Sequence, residues 1–266
     1  MNRWIETLSM LLCMILLPAP RTLAASAAPD TASAAAPPAG FLFREIEVKG
    51  TRHRYAVYVP PEYDAGRLWP CVVFLHGSGE YGADGEKQTR VGLPPAVLAH
   101  PDRWPCIVVM PQKPAEDEEW EKREGLVMAA LEATRREYRV DPDRIMLTGL
   151  SQGGHGTWVL GARHPALWSC LAPVCGYARP RQVARRVAAL PVWAFHGLRD
   201  DLVDPGDTRR MVEAIRGARR AQGLESEGPS GARMTLYPDV NHGCWDAAYG
   251  EADLPGWMLS QRRSPR

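Results

Sequence analysis

The stretch "RIMLTGLSQGGHGTW", Arg144 to Trp158, limits the possible folds more than any other part of this chain. It begins as an apolar strand, ends as an amphipathic helix, and allows almost no residues for the change of direction between them. The turn is Gly149-Leu150-Ser151-Gln152-Gly153, followed by Gly154 and Gly156. Glycines at these places suit a backbone that bends sharply and a helix packed close against its strand. The setting is that of a strand-to-helix turn that lifts a serine hydroxyl out of a sheet.

Around this turn the chain alternates strand and helix patterns. "FREIEVKG" and "RHRYAVYVPPEY" alternate apolar and polar residues about Gly50-Thr51 and predict an antiparallel hairpin with one solvated face. "CVVFLHG" and "CIVVMPQ" are short and continuously apolar, as in strands covered on both faces. "EEWEKREGLVMAALEATRREY" predicts a helix, with Leu126, Ala129, Ala130, Ala133 and Tyr138 near helical spacing, and "VDPDRIMLTG" returns to strand. After the serine come helix "QGGHGTWVLGARHP", strands "SCLAPVCG" and "PVWAFHG", helix "TRRMVEAIRGARRAQ", strand "RMTLYPDV" and a last helix near "LPGWMLSQRR". The expected class is α/β: one domain, a mostly parallel sheet with an antiparallel N-terminal edge, and helices on both faces. In such sheets functional groups gather on loops at the carboxyl ends of the strands.

Residues 1–27 have a short basic start, an apolar run from Leu8 to Leu17 and Ala25-Ser26-Ala27 at the end, the pattern of a secretory signal peptide. Residues 28–40, rich in Ala and Pro, read as a disordered tether, leaving 41–266 as the folded domain. The expected location is therefore secreted or periplasmic. The 32 basic and 31 acidic residues give a net charge of +1, which offers no electrostatic footprint for nucleic acid and predicts no stable membrane association. Beyond Cys13, the cysteines are Cys71, Cys106, Cys170, Cys175 and Cys244, without the spacing of a disulfide framework or a metal site. No metal and no cofactor are predicted. Cys71 and Cys106, each entering what should be neighbouring parallel strands, are expected to stay reduced and buried.

Serine is a weak nucleophile without a base, and in this kind of turn the base follows an acid in chain order. Of the histidines beyond Ser151, His155 and His164 belong to the following helix, and His196 in "FHGLRD" fits a packed, hydrogen-bonded role. His242, on the loop after the last strand in "YPDVNHGCWD", is where a base should hang. "HGLRDDLVD" offers Asp200, Asp201 and Asp204 as acids, two of which should be a solvated turn or an acidic helix start. "FLHGSGE" ends another central strand. Its Ser78 N–H, with that of Gln152, suits an oxyanion site.

With these residues the chain resembles the α/β-hydrolase superfamily. More closely, it is similar to exported esterases and predicted peptidases related to dienelactone hydrolases, polyhydroxybutyrate depolymerase-like esterases and prolyl oligopeptidase catalytic domains. The resemblance runs from Tyr58 to Arg262 through "LHGSGEYGADGEKQTRVGLPPAV", "YRVDPDRIMLTGLSQGGHGTW", "VWAFHGLRDDLVD" and "YPDVNHGCWDAAYGEADLPGWMLSQRR". It implies Ser151, Asp200 and His242 as nucleophile, acid and base, and Ser78 and Gln152 as oxyanion donors. Tyr81 stands where the family commonly has Arg.

The expected activity is hydrolysis of a carboxylic ester on a carbohydrate or other small molecule, through an acyl-enzyme. Two other readings are a prolyl oligopeptidase-type serine peptidase and a noncatalytic binding protein on the same scaffold. Tyr81 and Trp245 are candidate substrate contacts. Trp120, Trp158 and Trp168 read as packing. The basic run Arg179 to Arg186 reads as a solvated helix face.

Overall fold

The computed structural model describes residues 38–263, so the signal-peptide reading of 1–27 and most of the tether lie outside the described residues. Eight strands form one sheet in the order β1-β2-β4-β3-β5-β6-β7-β8. β1 (Gly40–Val48) and β2 (Thr51–Val59) make the antiparallel hairpin. The first strand takes in Gly40, which the sequence assigned to the tether. The hairpin turn is Lys49-Gly50, one residue earlier than read, with φ of 51° and 78°, the left-handed pair that matches strand twist. β2 pairs antiparallel with β4 (Ile107–Pro111). From β4 onward, through β3 (Trp69–Leu75), β5 (Val140–Leu150), β6 (Leu171–Val174), β7 (Val192–Gly197) and β8 (Ala232–Tyr237), every pairing is parallel.

The apolar runs of β3, β4 and β7 are fully buried because helices cover both sides of the sheet. On one side Val73, Leu75 and Leu147 pack with Val127 of α2 (Glu124–Glu137), Trp158 of α3 (Gln152–Arg163), Val183 of α4 (Pro180–Val187) and Ile215 of α5 (Pro205–Ala221). On the other, Val72, Phe74 and Met146 pack with Leu93 of α1 (Leu93–Ala99), Tyr249 of α6 (Trp245–Gly250) and Trp257 of α7 (Leu254–Ser260). Two of these helices, α1 and α6, are absent from the sequence reading. Each is short, seven and six residues, too brief for a helical period to stand out. Tyr138, counted there as helical, is the extended cap just beyond α2.

Cys71 and Cys106 do lie at neighbouring parallel strands, with Cys71 opposite Ile107. Their side chains fall in the two different cores, on opposite faces of the sheet, where a bridge has no path. All five cysteines of the described residues are free and buried, and burial pushes the Cys71 thiol up to about 12. Among the described residues no helix is long and apolar enough to cross a membrane.

Candidate active site

The parallel strands end on one edge of the sheet, and the segments that follow β3, β5, β6, β7 and β8 meet there. The sharpest of them is the turn at Ser151, which has φ 54° and ψ −116°. For a residue with a side chain this backbone costs about 1–3 kcal/mol and persists only where neighbours enforce it. The glycines show how it is enforced. A Cβ on Gly153 would lie 1.8 Å from the Leu75 carbonyl oxygen, and one on Gly149 2.5 Å from that of Gly153. Helix α3 is thus pressed on the ends of β3 and β5 with backbone against backbone. Gly154 and Gly176 touch the same way, tying α3 to the turn after β6. Ser151 is left at the N-terminus of α3, where the first N–H groups have no acceptor within the helix.

The structure brings Ser151, His242 and Asp200 into one hydrogen-bonded chain. His242 Nε2 is 2.9 Å from Ser151 Oγ, and His242 Nδ1 is 2.7 Å from Asp200 Oδ2. The Asp200 side chain is fully buried, and its other oxygen accepts from the Leu202 and Val203 amides at 3.0 and 2.9 Å. Burial opposes its charge, but the Val203 amide, His242 and the Leu202 amide outweigh it and hold the carboxyl below its ordinary range. Asp200 Oδ2 also meets His196 Nε2 at 3.0 Å. The other two acids of this segment are elsewhere: Asp201 is exposed, while Asp204 caps α5 through the Gly206 amide and pairs with Arg210 at 2.8 Å.

The loop after β3 is fixed from below. His76 is fully buried, with Nδ1 2.6 Å from the Gly77 carbonyl oxygen, while Nε2 accepts from the Lys113 amide at 3.1 Å. Burial pushes the His76 imidazole down to about 3, so it is neutral. Trp120 Nε1 donates to the His76 carbonyl, and Glu80 accepts from the Gly77 amide. The Ser78 amide has no hydrogen-bond partner among the described residues. Ser78, Ser151, Gln152, His242 and Trp245 line one cleft of about 630 Å³.

Trp245 stands edge-on to His242, with ring centroids 5.8 Å apart. Tyr81 is not among the residues lining this cleft; its ring lies under Lys87 Nζ at 5.6 Å. Trp120, Trp158 and Trp168 are buried in packing. The residue that the sequence reading missed is Tyr177, three residues beyond β6. It lines the cleft, stacks on His155 at 4.7 Å and donates its hydroxyl to Glu119 at 2.7 Å. Its sequence signal is faint: Gly176 before it, at a strand's carboxyl end.

Among the described residues two groups of potential metal ligands converge, Cys175 with Asp200 and His242, and Glu119 with Glu121 and His155. In the first, both His242 nitrogens already have partners. In the second, His155 Nδ1 meets the Tyr177 carbonyl and Nε2 meets Glu121 at 3.1 Å. Neither offers a free imidazole.

No family model and no curated protein sequence matches this chain. Among solved structures, a thermostable esterase is 28% identical with a TM-score of 0.71; the match covers 84% of this chain and 63% of that one. The chain therefore spans less than two thirds of the esterase's length. A feruloyl esterase module from Clostridium thermocellum, complexed with sinapinate, is 16% identical with a TM-score of 0.63, covering 90% and 95%. An acylaminoacyl peptidase in complex with a chloromethyl ketone is 14% identical with a TM-score of 0.60, covering 85% and 43%. The last two likenesses are of fold. The sheet order, the covering helices and the neighbours together define an α/β-hydrolase fold. That fold and these esterase and peptidase neighbours are consistent with the α/β-hydrolase superfamily.

Proposed function

We propose that this protein is a serine carboxylic-ester hydrolase acting through an acyl-enzyme, on an ester of a carbohydrate or another small exported compound. The observation that carries this reading is the Ser151–His242–Asp200 chain, at 2.9 and 2.7 Å, opening on a cleft. Its likeness to a thermostable esterase supports the same conclusion.

His242 Nε2 removes the Ser151 proton as Oγ bonds to the ester carbonyl carbon. The imidazolium so formed is stabilised by Asp200, whose carboxylate keeps Nδ1–H pointed inward. The carbonyl π electrons move to oxygen, and that oxyanion faces the N–H groups of Ser78 and Gln152 at the positive end of α3. When the tetrahedral intermediate collapses, the C–O bond to the alcohol breaks and His242 returns its proton to the departing oxygen. Water then attacks the acyl-Ser151, His242 takes one water proton, and the acid leaves as Ser151 is restored. The chemistry needs no cofactor. Trp245, beside His242 in the cleft, supplies an aromatic face for the sugar or the acyl group. Export rests on the sequence of residues 1–27.

A fluorophosphonate probe should label wild type at Ser151. Ser151→Ala should abolish labelling and lower turnover of p-nitrophenyl acetate at least about a thousandfold. Undiminished turnover by the alanine variant would place the chemistry elsewhere. Comparing kcat/KM on a feruloylated sugar and on a chromogenic prolyl peptide separates esterase from peptidase, since an amide demands more of the proton returned to its leaving group.

A further inference from the structure

Tyr177 and Asp207 line two cavities at once, the cleft at Ser151 and a second one of about 830 Å³. The second lies between α3 and α4 and is bordered by Arg163, Arg179, Arg181 and Arg186, with Glu121 and Asp207 as its acids. The pairing of these charges is uneven. Glu121 is held by His155 at 3.1 Å, Asp207 by Arg210 at 2.7 Å, and Arg163 by Glu124 at 2.6 Å. Arg179, Arg181 and Arg186 are exposed and form no ion pair or side-chain hydrogen bond among the described residues. Helix α4 buries Val183, Ala184 and Val187, and its Arg181, Gln182 and Arg186 line the cavity. The basic run is solvated, as the sequence reads, and three of its arginines, Arg179, Arg181 and Arg186, also form an unpaired positive wall of this hollow, beside the cleft at Tyr177.

We infer that this second cavity is a subsite for a carboxylate-bearing carbohydrate, so that the ester substrate is a sugar chain containing uronate units. Guanidinium groups present a planar fork that fits a carboxylate, and several around one hollow act together where a single exposed pair contributes little. Tyr177 is a firm divider between the two cavities, because His155 stacks on its ring and Glu119 takes its hydroxyl. A chain of sugars passing over Tyr177 would place an ester at Ser151 and an acidic unit at the arginines. The position of the ester rests on the esterase reading above; the binding of the acid does not.

Two measurements keep those apart. In the first, the Ser151→Ala protein is titrated calorimetrically with tri-galacturonate and with neutral xylotriose. The acidic trisaccharide should bind about tenfold more tightly at low salt, and the preference should shrink in 0.5 M NaCl because exposed charges are screened within a few ångströms. Adding Arg181→Ser and Arg186→Ser should bring the two affinities within about twofold. Equal binding of the two sugars, or a preference that survives the double substitution, overturns the inference. In the second, kcat/KM of the wild type is compared on an acetylated uronate oligosaccharide and an acetylated neutral one. Acidic preference in both measurements supports the subsite as part of the enzyme. Binding preference without turnover of any ester leaves the subsite standing and removes the esterase reading, whereas turnover of both esters at equal efficiency removes the subsite and leaves the esterase.

Discussion

Asp200 Oδ2 carries an imidazole on each side, and the two sides are built differently. On the inner side, His196 is fully buried. Its Nε2–H is shared between Asp200 and the Val203 carbonyl, at 3.0 and 3.1 Å, and its Nδ1 accepts from the Thr208 hydroxyl at 2.7 Å. Every polar atom there has a partner, and burial holds the imidazole below its ordinary range. On the outer side, His242 takes the same carboxylate oxygen with Nδ1 and ends on a strained serine at a cleft. The same pair of side-chain types is closed in one place and open in the other. What marks a site for chemistry is the unfinished end of the chain, since a histidine beside an aspartate occurs here in both forms.

The comparison breaks most visibly at the open end. His242→Ala should lower turnover of p-nitrophenyl acetate by about 10⁴-fold or more, with the folding midpoint little changed because the ring lies at the cleft. Asp200→Asn comes next. It keeps the shape but leaves His242 Nδ1–H without a charged acceptor, and turnover should fall by about 10³–10⁴. A variant of Asp200 with wild-type kcat would show that the carboxylate serves only the inner side.

The sequence discloses the open side far better than the closed one. Ser151 is legible because its backbone requirement falls on neighbours that can only be glycine, and His242 because it follows the last strand. The sheet is legible because β3, β4 and β7 are apolar on both faces. Asp200 is harder: with Asp201 and Asp204 it forms a run of similar acids, and the choice is made by the Leu202 and Val203 amides, which take one carboxylate inward. That is a matter of loop conformation, and composition does not record it. Tyr177 reaches the cleft through a contact between Gly176 and Gly154, a pairing distant in sequence. His196 could be read as a packed histidine, but its shared hold on Asp200 depends on where the Asp200 loop folds back.

The closed imidazoles should reveal themselves in stability and not in rate. His196→Gln removes a buried set of hydrogen bonds and should cost about 2 kcal/mol, with turnover changed less than tenfold. His76, neutral down to about 3 in the folded protein, sharpens the point through pH. A base with a lowered folded pKa leaves stability intact above the unfolded value near 6.5. As pH falls toward 3 the unfolded chain binds a proton that the folded one refuses, so stability is lost. From pH 6.5 to 5 the loss should be on the order of 2 kcal/mol from His76 alone, and His196 acts in the same direction. Urea midpoints across this range should decline in wild type and decline less steeply in His76→Gln, with His196 supplying the remainder. A flat wild-type profile would mean that these rings are protonated within the fold.

The smallest effect tests the choice between neighbouring acids. Asp204 stands four residues after Asp200, yet its carboxylate faces solvent, where it accepts the Gly206 amide at 2.8 Å and meets Arg210 at 2.8 Å. It is an N-cap, and its exposed ion pair adds little. Asp204→Asn preserves an oxygen that can cap α5, so the urea midpoint should stay close to wild type; Asp204→Ala, which removes the cap, should lower it slightly. Asp204 also lines the cleft, so the decisive quantity is kcat on a small ester that does not reach it. That value should stay within about threefold of wild type in Asp204→Asn, against the collapse expected of Asp200→Asn. If Asp204→Asn loses turnover and Asp200→Asn keeps it, His242 is oriented by the solvent-facing acid during catalysis and the buried chain through Asp200 is a resting arrangement.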